Sequence, residues 1–154
     1  MKCVGPKSLE GKSKGGIKVH TMLYAYEEVP QLIHFTDAAT HAHTFLSKLT
    51  LKPHRIALFD RGHVDYKQYA KWTNENIFFV TPLKDNAVYE QLQETDIPDN
   101  CPDNYIKDEK IQIRYKDENN QDQDFTLRTI VYYDKEKDQI FQFLTNIFEM
   151  TAGK

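Results

Sequence analysis

Arg55-Ile56-Ala57-Leu58-Phe59-Asp60-Arg61-Gly62-His63-Val64-Asp65-Tyr66 is the stretch that decides the fold. It opens as a compact apolar run, the pattern of a buried strand, and delivers Asp60 at the C-terminal end of that strand. Arg61-Gly62 then turns the chain. A helix is expected from about Asp65 to Glu75, because Tyr66, Tyr69, Ala70 and Thr73 fall at i, i+3, i+4 and i+7 and share one face. Ile77 to Leu83 reads as a further strand. Strand, carboxylate, turn, helix and strand in that order make an α/β unit.

Working outward, the upstream segment has the period of a strand. Ile17, Val19, Thr21, Leu23 and Ala25 alternate with Lys18, His20, Met22 and Tyr24. Glu27-Glu28-Val29-Pro30 makes a turn, and Gln31 to Thr36 returns as the second strand of an antiparallel hairpin. Thr40 is placed to cap a helix through Phe45, Leu46 and Leu49, which Pro53 stops. Downstream, Pro98 and Pro102 lie among Asp and Asn residues, the composition of a loop. Ile111 to Tyr115 alternates, Asn119-Asn120 turns, and Phe125 to Tyr133 alternates again. Gln139 to Thr145 adds a third strand to that hairpin. Asn146–Lys154 can open a helix, whereas residues 1–15 carry Gly, Pro and Lys with no periodicity and read as a leader.

The chain has 154 residues, 40% of them hydrophobic, which is enough for one domain with a core. Nine Phe, nine Tyr and one Trp exclude a disordered chain. No apolar run approaches the roughly 20 residues of a membrane span, and the N-terminus has no apolar signal region. Cys3 and Cys101 make neither a disulfide framework nor a zinc motif, which fits a cytoplasmic protein with free thiols. The net charge of −3 is unevenly spread. Residues 1–84 hold 12 Lys/Arg against 7 Asp/Glu, residues 85–124 hold 4 against 12, and residues 125–154 hold 4 of each. A polyanion could therefore approach the first half, with the acidic stretch facing away.

Four motifs in order carry a resemblance. They are Lys14-Gly15-Gly16-Ile17-Lys18-Val19-His20-Thr21, then Phe59 to Tyr66, then Phe78-Phe79-Val80-Thr81-Pro82-Leu83-Lys84, and last Phe143-Leu144-Thr145-Asn146. Over residues 14–151 the chain resembles the catalytic domain of DDE-type bacterial insertion-sequence transposases, the IS-four group. The resemblance implies an α/β fold, an incomplete ribonuclease H-like mixed sheet with a β-rich insertion. It divides the chain into a leader (1–15), a ribonuclease H-like part (16–84), the insertion (85–145) and the truncated start of a C-terminal helix (146–154).

The same resemblance implies DNA cutting and joining by three carboxylates that hold two divalent ions, usually Mg2+. Hard oxygen ligands suit Mg2+, and paired ions activate the attacking oxygen and stabilise the leaving one. Asp60 then corresponds to the second acidic residue, a catalytic and metal-binding position. Lys14, Lys18, Arg61 and Lys84 lie in the matching motifs and are candidate contacts to DNA phosphates at transposon ends. The first catalytic Asp would lie upstream of Lys14, where Met1–Ser13 has Glu10 as its only carboxylate. The catalytic Glu would follow Asn146 beyond Glu149. The expectation is a transposase fragment, inactive by itself, whose Asp60 strand lacks a neighbour. Such an edge invites pairing with a second copy or with an intact transposase.

Two other function classes fit parts of the sequence. One is a non-catalytic module that binds DNA or a transposase through the basic half. The other is a metal hydrolase using His41-Ala42-His43 with Asp60, among His34, His54 and His63. Two residues apart on a helix point about 200° apart, so that pair cannot share an ion there.

Overall fold

The computed structural model describes residues 17–23, 30–37, 42–99 and 101–150. Strands β1 (Ile17–Leu23) and β2 (Pro30–Asp37) pair antiparallel as a two-stranded sheet. The remaining strands are β3 (Ile56–Leu58), β4 (Phe78–Pro82), β5 (Glu90–Glu94), β6 (Tyr105–Lys116), β7 (Asp122–Asp134) and β8 (Gln139–Thr145). They form one mixed six-stranded sheet in the order β3-β4-β8-β7-β6-β5. Helix α1 (Tyr66–Asn74) connects β3 to β4, which are parallel, with Ile56 opposite Phe78 and Leu58 opposite Val80. A parallel pair needs such a crossover, which is why the chain alternates strand, helix and strand here.

Helix α1 begins where Asp65, extended at the N-cap, accepts the Gln68 N–H at 3.1 Å. It ends at Asn74, and Asn76 follows with φ 55°, a left-handed position that asparagine tolerates better than most residues. Tyr69, Ala70 and Trp72 bury the inner face. Tyr69 and Trp72 join Ile77, Phe79, Leu83, Ile111, Ile113, Leu127 and Leu144 in one core. Its tightest aromatic contact is Tyr69 against Phe79, with ring centroids 4.6 Å apart.

Asn146 ties the end of β8 to the α/β unit. Its side-chain oxygen accepts the Phe79 N–H at 3.0 Å, and its amide nitrogen donates to Ile77 O at 2.9 Å and to Thr73 Oγ1 at 3.0 Å. The Thr145 hydroxyl donates to Phe79 O at 2.6 Å. Farther along the sheet, Arg128 and Asp108 make a buried ion pair between β7 and β6, with Nε 2.8 Å from Oδ1. The same guanidinium donates to the carbonyls of Ile147 and Met150.

Several expectations change here. In place of one incomplete mixed sheet, the described strands form two, with β1 and β2 apart from β3 and β4. On β1 it is His20 that is buried, while Val19 is 53% exposed, so the apolar set of the alternation does not mark the inner face. The segment around Phe45 is a 3-10 helix, Ala42–Lys48, and Thr40 lies outside the described residues. The acidic stretch contains β5, an exposed strand with Leu92 as its one apolar residue, that borrows its order from the edge of β6. Residues 146–150 form bends and no helix. The β-rich part is continuous with the α/β unit, because β8 pairs with β4 as well as with β7.

Candidate functional site

The site is the turn that follows β3. Asp60 stands two residues past the strand, after Phe59 has made its last bond to Val80 O at 3.4 Å. Its side chain is 75% exposed, as expected for a carboxylate delivered at a strand end. Oδ1 accepts the Gly62 N–H at 2.8 Å and lies 2.8 Å from His63 Nδ1. A Cβ at position 62 would sit 2.9 Å from Oδ1, so this close approach requires glycine. Oδ2 has no hydrogen-bond donor among the described residues.

The turn is braced from behind. The His63 N–H donates to Asp60 O at 3.2 Å, and the Tyr69 hydroxyl donates to His63 O at 3.0 Å. Burial pushes the Tyr69 phenol far above its ordinary pKa, so it remains a donor throughout the physiological range. Asp65, two residues past His63 and at the N-cap of α1, is committed to the helix. The two carboxylates of this stretch thus have separate tasks.

His63 also reaches the hairpin. Its Nε2 lies 3.3 Å from Nδ1 of His20, which is buried and stacks on Phe45 with centroids 4.9 Å apart. Asp60, His63 and His20 form one polar chain from the turn to β1. The sequence motifs single out Asp60 but give no sign of this chain, since it joins residues 43 apart in sequence.

The basic candidates are placed unequally. Arg61 is exposed and meets Asp85 at 3.2 Å. Lys84 is exposed beside Asp85, in the turn after β4. Lys18 lies in β1 opposite Thr36, and Lys14 lies outside the described residues. An exposed pair such as Arg61–Asp85 contributes little and leaves the guanidinium exchangeable with a phosphate. Of the other histidines, His34 faces His20 across the hairpin register, His54 holds φ 64° in the turn before β3, and His41 lies outside the described residues.

Among the described residues no group of three or more His, Cys, Asp or Glu is arranged to hold a metal ion. The donor chemistry nevertheless fits one coordination position. Mg2+ keeps several waters and takes one or two carboxylates together with substrate phosphates, and Oδ2 of Asp60 is an open, hard oxygen of that kind. The described residues do not fit a complete two-ion site. Among the described residues the histidine at Asp60 is His63, and His41 with the side chain of His43 lies outside them.

In open α/β sheets ligands bind outside the carboxyl ends of the strands, which is where Asp60 stands. A family model described as the Transposase DDE domain matches residues 4–152, so the chain belongs to the DDE transposase family. No curated protein and no solved structure matches it. The family places the chain among proteins of DNA transposition, whose substrate is DNA and whose chemistry uses divalent metal. None of the helices among the described residues is long and apolar enough to cross a membrane.

Proposed function

We propose that this chain is the core of an insertion-sequence transposase of ribonuclease H-like architecture, with Asp60 as its second metal-binding carboxylate. The observation that carries this reading is the state of that carboxylate: Oδ1 is held by two donors while Oδ2 faces solvent at the C-terminal end of β3. The parallel β3–β4 pair, the antiparallel β1–β2 hairpin and the long β6–β8 meander support the architecture. A divalent ion bound at Asp60 would offset phosphate charge and polarise the scissile bond. Arg61 and Lys84, with Lys18 and Lys14 upstream, would hold the DNA backbone through salt-sensitive contacts.

On this reading Asp60 supplies one of the three carboxylates that the chemistry uses, and a polypeptide of these 154 residues is expected to need the other two from elsewhere before it cleaves DNA. The first acidic residue would come with a strand laid along the edge of β3 that no described strand pairs, where Ile56 is 52% and Leu58 70% exposed. A second copy or an intact transposase could donate that strand.

The test uses transposon-end DNA with Mg2+ or Mn2+. The polypeptide alone should leave the DNA intact, and an intact transposase of the same element should cleave it through the position equivalent to Asp60. Cleavage by the polypeptide that survives Asp60→Ala would overturn the assignment. Cleavage abolished by that substitution would show that a partner chain completes the site. Binding to duplex DNA should weaken steeply with salt and show no sequence preference in this half of the protein.

A further inference from the structure

An exposed aspartate ordinarily samples several rotamers, and ordering it costs free energy each time a ligand binds. Asp60 is exposed, yet two donors converge on a single one of its oxygens. The Gly62 N–H belongs to the turn itself. His63 is different, because its ring is fixed from outside the turn.

The His63 side chain is only 17% exposed. Its carbonyl is held by the Tyr69 hydroxyl, its ring meets Phe59 edge-on at 6.5 Å, and its Nε2 faces His20 Nδ1 at 3.3 Å. His20 is itself clamped by stacking on Phe45. An ionised carboxylate can only accept, so His63 Nδ1 must carry a proton toward Oδ1. In the neutral ring that leaves the Nε2 lone pair aimed at His20. Free imidazole favours the other tautomer, so this arrangement needs both partners in place.

We propose that His63 is the positioning residue for the Asp60 carboxylate, and that His20, reaching from the hairpin, fixes the His63 ring. Oδ1 is reserved for this internal network, and Oδ2 is presented to a divalent cation. The hairpin shares no strand pairing with the six-stranded sheet. The His20–His63 contact therefore makes the order of Asp60 depend on whether the hairpin is docked. Partners of this outer kind typically change metal affinity by about 10–100-fold when removed. The purpose of the positioning rests on the reading of Asp60 as a metal ligand, whereas the network does not.

Nuclear magnetic resonance on the 154-residue chain separates the two. At about pH 8.5, above the imidazole range, His63 should show the Nδ1–H tautomer in its ring nitrogen shifts, and Asp60 should show a single χ1 rotamer in its couplings. In His63→Ala the Asp60 couplings should average. In His63→Asn, whose amide nitrogen stands where Nδ1 stood, the single rotamer should return. His20→Ala should shift His63 toward the Nε2–H tautomer. An Nε2–H tautomer in the unaltered protein, or an Asp60 rotamer indifferent to His63→Ala, would overturn the proposal, and the first of these needs no variant to fold. Mn2+ is the separate probe of the metal reading. It should preferentially broaden the Gly62 and His63 amides, with about tenfold weaker binding in His63→Ala that His63→Asn restores. No preferential broadening in the unaltered protein would remove Asp60 as a metal ligand while leaving the positioning question decided by the tautomer and rotamer data.

Discussion

The β6–β7–β8 meander and the β3 edge belong to one sheet and are built in opposite ways. β6 and β7 run 12 and 13 residues, pair along almost their whole length, and have a bonded neighbour on each side. β3 has three residues, one neighbour among the described strands, and two exposed aliphatic side chains. The meander's strands are consecutive, so each closes against the last through a short turn. β3 depends on a helical crossover to reach β4, and no other described strand pairs with its far edge. Stability is concentrated in the meander, while the candidate chemistry stands at the weaker edge.

Hydrogen exchange should expose this contrast most strongly. Amides of 111–115 and 125–133 should open only with global unfolding, a difference from 56–58 of roughly three orders of magnitude if the domain has about 5 kcal/mol of stability. Equal protection in the two regions would mean that β3's open edge is covered in solution.

Arg128→Met tests the meander from inside. It leaves Asp108 buried without its partner, which typically costs about 3–5 kcal/mol, and Asp108→Asn in the same background should recover part of the loss. Denaturant unfolding of the single and double variants would measure both. Asn146→Ala sits where the two regions meet. It strips partners from the Phe79 N–H and Ile77 O, an expected loss of about 1–3 kcal/mol, with the largest gain in exchange at β4 and α1. A loss confined to β8 would show that the meander is independent of the α/β unit.

Leu58→Lys addresses the edge. Stability should change by less than about 0.5 kcal/mol, but self-association in sedimentation should fall if the edge pairs with another copy. Acid should have the smallest effect. Asp117 accepts the Gln121 and Asn119 N–H groups in the β6–β7 turn, and the bond from Gln121 leads in holding its carboxyl below the ordinary aspartate pKa. Because the folded-state value is the lower one, this contribution is full above the ordinary pKa and is lost as pH falls through the depressed one. The unfolding midpoints of Asp117→Asn and the unaltered protein should differ at about pH 6 and converge in acid once the depressed pKa is passed.

The parts legible in the sequence are those whose packing is decided locally. The α1 face of Tyr69 and Ala70 and the alternation of Ile111 and Ile113 stand in the structure as their spacing implies, whereas the apolar run before Asp60, expected to be a buried strand, leaves Ile56 and Leu58 exposed. Elements settled by distant partners were not legible. Glu90–Glu94 has no apolar period and becomes a strand only because β6 offers an edge. Asp108, Glu109 and Arg128 read as solvent-facing charges, yet all three are buried, Asp108 and Arg128 by pairing with each other and Glu109 by its bond to Lys107. On β1 the apolar residues misidentify the inner face, since His20 is drawn in by Phe45 and His63. The family motifs locate Asp60, but nothing in them announces the residues that aim it.

The anchoring of Asn146 and the grip of Arg128 on Ile147 and Met150 have a mechanical consequence. A pull on the backbone just past β8 does not begin by unzipping that strand from β7. The load passes first through the Asn146 amide into β4 and α1, and through the guanidinium into the two longest strands of the sheet. The bonds then resist together, in shear, where a peeled strand would give them up one at a time. Tension from that side would reach the turn holding Asp60 through α1, which follows it, and through β4, whose Val80 O accepts the Phe59 N–H.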